Sequence, residues 1–161
     1  MNMFVNFIFA AFKAGTPLLF GTTGEILTEK AGNLNLGVEG MMYMGAFGGF
    51  YVGLKTGNLL LALLAAFAFG MGGALIYAFL TVTLKANQNV TGLTLTIFGT
   101  GFANFFGEMM IRNTPGGQPK LPAGLLNLLA ERPLLGDLQI PVLSKLLSTN
   151  PLVYLAIILA I

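Results

Sequence analysis

Residues 29–50 read EKAGNLNLGVEGMMYMGAFGGF, a charged start broken by asparagine and glycine that runs into apolar sequence with no turn between. Only 15 uncharged residues separate Glu39 from Lys55. At ~1.5 Å per residue they make about 22 Å of helix, short of the ~30 Å hydrocarbon core of a bilayer. To reach bilayer length the segment must take residues from before Glu39. That puts the Glu39 carboxylate in the first turn of a helix starting near Asn35, where unpaired N–H groups and the helix dipole favour an anion by roughly 0.3–1 kcal/mol. Gly32, Asn33, Asn35 and Gly37 suit an irregular entry, since glycine accepts positive φ and asparagine caps exposed amides. Irregular backbone at membrane depth is tolerated only where protein or a watery cavity surrounds it. Two readings follow. Either Asn33, Asn35 and Glu39 line a broken helix inside the protein, or residues 25–39 form a surface loop with Glu39 at headgroup level.

The rest of the chain favours a membrane setting. Of 161 residues, 55% are hydrophobic and 9% charged, and the mean hydropathy is +0.81, well above that of water-soluble domains. The expected fold is all-α, a polytopic bundle of transmembrane helices with discontinuous segments. Histidine and cysteine are absent, which removes the commonest metal ligands, the usual general base and any disulfide framework. No catalytic residue and no metal site are therefore expected. A net charge of +2 forms no basic stripe, so nucleic acid is not an expected partner, whereas membrane lipid is. The first twenty residues lack the basic start of a secretory signal, and Lys13 interrupts their apolar run.

Five apolar segments can be counted: 3–24, with a break expected at Gly15-Thr16-Pro17; the short one after Glu39; Leu59 to Leu84; Val90 to Gly107; and one beginning at Pro151. Between the last two, residues 112–150 form a polar, proline-containing loop. The eleven residues from Pro151 make about 16 Å of helix, roughly half a bilayer, so the chain is expected to be the N-terminal part of a single, longer membrane domain. A naturally short protein is the alternative. Gly45, Gly49, Gly53 and Gly57 recur every four residues, as do Ala62, Ala66, Gly70, Ala74 and Ala78. Such rows let membrane helices approach closely, and the short 55–58 connection makes the two segments an antiparallel hairpin. A third row, Gly92, Thr96, Thr100 and Asn104, is polar as well as small. It reads as packing or, with Thr96, Thr100 and Asn104 inward, as the lining of a pathway.

The stretch GEILTEKAGNLNLGVEGMM (24–42) followed by GAF (45–47) resembles the signature of bacterial ABC-importer permeases in the nucleoside and simple-sugar branch of the branched-chain amino-acid/ribose permease superfamily. KANQNVTGL (85–93), LQIPVL (138–143) and NPLVY (150–154) are similar to further segments of that branch, in order along the chain. Lys30 stands where the family usually has arginine, and Gln88 where it commonly has an acid.

The resemblance implies a multi-pass subunit of the bacterial cytoplasmic (inner) membrane that moves a nucleoside or simple sugar. It implies three partners: a second permease subunit, a cytoplasmic ATP-binding subunit and an extracytoplasmic substrate-binding lipoprotein. ATP would be bound by the partner, and no cofactor is expected in this chain, which carries no GxxxxGK[ST] phosphate loop. The residues that dock the ATPase are expected beyond Ile161. The few charges mildly favour a cytoplasmic 112–150 loop, whereas the resemblance implies an extracytoplasmic one. A branched-chain amino-acid permease remains open, as does a small pore or scaffold membrane protein.

Overall fold

The computed structural model describes residues 3–114, 116, 119–129 and 151–160. They form six α-helices: α1 (Met3–Lys30), α2 (Val38–Thr56), α3 (Leu59–Ala78), α4 (Gln88–Arg112), α5 (Ala123–Leu129) and α6 (Pro151–Ala160). Between α3 and α4 lies a π-helical turn, Phe79–Thr83. No strand occurs among the described residues, as expected for an all-α chain. Contacts divide the chain into two units, Leu27–Leu126 and Met1–Ile26 with Asn127–Ile161.

The Leu27–Leu126 unit is built on three helices whose ends are set by local chemistry. The last turn of α1 closes in a Schellman motif: Gly32 adopts φ 85, its N–H bonds the Glu29 carbonyl at 2.9 Å, and the Asn33 N–H bonds the Thr28 carbonyl at 3.0 Å. α2 ends at Gly57 in the left-handed conformation (φ 65), and the very next residue, Asn58, caps α3 by accepting from the Leu60 N–H at 2.9 Å. This two-residue link folds α2 and α3 into the antiparallel hairpin read from 55–58. Asn87 caps α4, its Oδ1 accepting from the amides of Asn89 and Val90.

α2 is central, packed along α3 on one side and α4 on the other. Glycine makes both contacts possible. A Cβ built on Gly49 would stand 2.9 Å from Ala66 Cβ, and one on Gly45 2.9 Å from the Ala66 carbonyl oxygen. On the α4 side, a Cβ on Gly40 would overlap the Leu95 carbonyl, and one on Gly99 would overlap the backbone of Gly40. The two main chains touch there, and no side chain fits between.

The contact faces differ from the four-residue rows of the sequence. Ala62, Ala66 and Gly70 face α2, but the face continues through Gly73, against Met41 and Met44, to buried Tyr77, while Ala74 and Ala78 are exposed. A strict four-residue row drifts about 40° per step around a helix of 3.6 residues per turn, so five members cannot all meet one partner. Steps of three restore the register. On α4 the contacts use Gly92, Leu95, Gly99, Phe102 and Phe106, an alternation of three and four, and Asn104 falls on the exposed side. Gly57 leaves the ridge to serve as the helix cap, with Pro122 beside it.

Among the described residues one helix, Leu59–Thr83, is long and apolar enough to cross a membrane, and hardly any of it is buried. At ~1.5 Å per residue its 25 residues cover about 37 Å. The other apolar segments are diluted, α2 by glycines and terminal charges and α4 by threonines and asparagines.

In the other unit, α1 runs unbroken through Gly15, Thr16 and Pro17, correcting the expected break. The Thr22 and Thr23 hydroxyls return their hydrogen bonds to carbonyls of their own helix, Leu18 and Leu19. On α6, Val153 and Ala156 share a buried face. Residues 130–150, most of the expected 112–150 loop and with them LQIPVL and Asn150, lie outside the described residues.

Gly40→Ala and Gly99→Ala should each force α2 and α4 apart, costing about 1–3 kcal/mol or more. Gly49→Leu should open the α2–α3 contact in the same way. Gly72→Ala and Gly101→Ala, whose Cβ atoms meet nothing within 4 Å, should be neutral or stabilising by up to about 1 kcal/mol. Unfolding in detergent checks all five; equal behaviour of the two sets would refute close backbone packing.

Candidate functional site

Between α1 and α2 the chain runs without helix through Asn33, Leu34 and Asn35, then enters α2 by a turn at Leu36 and Gly37. Such a break leaves backbone groups that no helix supplies with partners. Three side chains from elsewhere supply them. The Tyr77 hydroxyl of α3 donates to the Leu34 carbonyl at 2.6 Å. The Thr96 hydroxyl of α4 donates to the Leu36 carbonyl at 2.9 Å. Gln88, the first residue of α4, accepts from the Leu34 N–H at 2.9 Å, and its Nε2 donates to Asn33 Oδ1 at 2.9 Å with the Gly32 carbonyl 3.5 Å away.

Asn35 works from inside the segment. It is buried, and its Oδ1 accepts the Gly37 N–H at 3.0 Å in a turn that sets the direction of α2, while its Nδ2 lies 3.6 Å from the Met41 sulfur. α2 begins at Val38, three residues later than near Asn35, after an entry turn in which Asn35 Oδ1 takes the Gly37 amide, a donor for which a helix start has no partner of its own. Glu39 lies in the first turn of α2, as read, but is exposed. Gly92 completes the site: a Cβ there would stand 2.8 Å from the Leu36 nitrogen and 2.9 Å from that of Gly37.

The structure thus brings Asn33, Asn35 and Thr96 together around one break, with Glu39 at its exit. Thr100 turns its hydroxyl back to the Thr96 carbonyl at 2.7 Å, and Asn104 lies about one turn beyond Thr100 on the exposed side of α4. Tyr77 escaped the sequence reading, though it is the one residue of α3 with a polar side chain, a signal that was available; Gln88 was noted only as standing where the resembled family commonly has an acid, with no partner assigned.

A second feature lies further along the same bundle. Phe47 and Tyr51 of α2, Phe69 of α3, and Phe102 and Phe106 of α4 form an aromatic cluster with ring centroids 4.6–6.3 Å apart. It lines a cavity of about 460 Å³ whose polar wall is Lys55, Asn113 and Thr114. Lys55 Nζ sits 6.0 Å from the Tyr51 ring centre. Among the described residues no group of three or more acidic, histidine or cysteine side chains is arranged to hold a metal ion.

Comparison with known proteins gives one consistent family. Residues 7–161 match the family described as branched-chain amino acid transport system / permease component. A protein of Haloferax volcanii named as a putative glucose ABC transporter permease is 41% identical over 138 residues, 85% of this chain and 42% of its own length. The guanosine ABC transporter permease of Bacillus subtilis is 32% identical over 151 residues, 90% of this chain and 45% of its own. The nucleoside ABC transporter permease of Lactococcus lactis is 30% identical over 156 residues, 91% and 46%. The chain therefore spans less than half the length of these relatives. No solved structure matches it significantly.

Tyr77→Phe and Thr96→Val should each strand one carbonyl of the break and lower stability by about 0.5–1.5 kcal/mol. Glu39→Gln, which removes only a charge near an exposed helix start, should cost at most about 1 kcal/mol. Detergent unfolding curves measure these; an unchanged Tyr77→Phe protein would show that the Leu34 carbonyl does not depend on the phenol.

Proposed function

The chain belongs to the branched-chain amino acid transport system / permease component family, and from that premise we propose that it is part of the membrane-spanning permease of an ABC importer carrying a nucleoside or simple sugar. The observation that carries this reading is the break at residues 33–37. It is non-helical backbone between two helices, satisfied by Tyr77, Gln88 and Thr96, the kind of element that carriers use where a path crosses the bilayer. The names of the three relatives, glucose, guanosine and nucleoside permeases, support the substrate class.

As part of a permease component, the chain resides in a membrane. A multi-pass arrangement is supported by Leu59–Thr83, followed after a four-residue link by the antiparallel α4. The exposed leucines and phenylalanines of α3 then face lipid or the rest of the assembly. The 112–150 loop is proposed to be extracytoplasmic, and the whole chain the N-terminal part of one permease domain.

In this reading the chain binds no ATP and makes or breaks no covalent bond. A cytoplasmic ATP-binding subunit supplies the energy, a second permease subunit completes the path and an extracytoplasmic lipoprotein delivers the ligand. Closure of the ATPase shifts the permease pair between outward-open and inward-open states, and the ligand biases that balance only by its differential affinity for the two. Asn33, Asn35, Glu39 and Thr96 are the proposed polar elements at the break, with Thr100 and Asn104 continuing the row along α4.

Vesicles holding the full-length permease with its partners should take up labelled nucleoside or sugar when ATP is supplied, and not without it. Uptake of leucine in place of either would reassign the substrate class to branched-chain amino acids. Uptake by this chain alone, without ATP, would identify a pore.

A further inference from the structure

We propose that Gln88 is a positioning residue, an amide clamp that holds Gly32–Leu34 in the conformation from which α2 starts and ties the end of α1 to the first turn of α4. Its side chain reaches 54 to 56 residues back along the chain and engages three consecutive residues: the Gly32 carbonyl, the Asn33 amide oxygen and the Leu34 N–H. Donor and acceptor are both in use, and only an amide supplies both from one planar group.

Two features separate this role from helix capping. The first amides of α4 are already taken by Asn87 Oδ1, so the helix start does not depend on Gln88. The end of α1 is likewise closed by its own backbone through Gly32 and Asn33. Gln88 instead spans the two ends. The Leu34 carbonyl is held by Tyr77 and the Leu36 carbonyl by Thr96, whereas the bond that the Leu34 N–H makes is to Gln88. Loss of the clamp therefore frees the first half of the segment while Tyr77 and Thr96 still hold the second. A displacement of the α4 N-terminus is transmitted to Gly32–Leu34 through this side chain, while Thr96 and Gly92 couple α4 to Leu36 and Gly37.

The geometry makes a specific demand on charge. With a carboxylate at 88, the acceptor for the Leu34 N–H remains and the Asn33 amide rotates to donate through its NH₂. With a carboxylate at 33, Gln88 Nε2 still donates to it. With carboxylates at both positions, two like charges confront each other across a contact that spans 2.9 Å between Gln88 and Asn33, and neither can donate. The pair is thus coupled in a way that a residue needed only for helix formation is not.

The experiment is hydrogen exchange at the Leu34 amide of the full-length chain in detergent. Gln88→Met, of similar length but without donor or acceptor, should speed exchange at Leu34 by about tenfold while exchange within α4 is unchanged, and Gln88→Glu should restore protection. Gln88→Glu combined with Asn33→Asp should lose it again, though each change alone keeps it within about threefold of wild type. Wild-type exchange in Gln88→Met, or a double variant no faster than the product of the two single effects, would overturn the clamp. The proposal rests on the permease reading only in giving the break a transport role. Absence of ATP-dependent uptake by the unsubstituted full-length permease with its partners would defeat that reading and leave the exchange result to judge Gln88 alone.

Discussion

Backbone that leaves a helix must find partners for its N–H and C=O groups, and the organisation of the Leu27–Leu126 unit is tied to how this is met at residues 33–37. Each such hydrogen bond contributes about 0.5–1.5 kcal/mol, so that together they count against the small reserve of a domain. Here the partners come from two different helices: Tyr77 from the end of α3, Gln88 and Thr96 from the first turns of α4. These bonds therefore form only when α2, α3 and α4 are assembled. They in turn tie together helix ends that hardly touch otherwise, since α3 and α4 make few contacts of their own.

Glycine sets the distances that allow this. The main chains of α2 and α4 meet at Gly40 and Gly99, and Gly92 lets α4 lie against the amides of Leu36 and Gly37. Without these approaches the Thr96 hydroxyl, on a short side chain, could not reach the Leu36 carbonyl. Close packing and polar satisfaction are one arrangement here, not two. The π turn at Phe79–Thr83 belongs to it as well. It follows Tyr77 after one residue, Ala78, and changes the helical phase between the residue that bonds Leu34 and the link to α4, with the Leu84 N–H bonded to the Phe79 carbonyl and the Ala86 N–H to that of Leu80.

The aromatic cavity further along the bundle has the opposite character. Its walls are rings and thioethers, and its polar groups, Lys55, Asn113 and Thr114, lie together at the C-terminal ends of α2 and α4. The unit thus has a polar, hydrogen-bonded end at the break and an apolar, aromatic end near Lys55, joined by the glycine contacts.

What the sequence by itself determined is the material and the punctuation. Hydropathy gave a helical membrane chain; the short 55–58 connection gave the hairpin, and Gly32, Asn33, Asn35 and Gly37 marked an irregular entry to the second helix by local chemistry that needs no distant partner. The family was legible in GEILTEKAGNLNLGVEGMM, and the oddity of that stretch pointed to the break. What only the tertiary structure decided is which residues meet there. Tyr77 and Gln88 lie 43 and 54 residues from Leu34, and no local pattern announces such a pairing. The helix faces were decided the same way. A four-residue row is visible in a string of letters, but it winds away from a partner helix, so contact selected Gly73 and Tyr77 over Ala74 and Ala78 and turned Asn104 outward. Pro17 was read as a break, yet α1 continues through it. Proline removes one hydrogen bond, and the remaining bonds of a 28-residue helix are enough to carry it past.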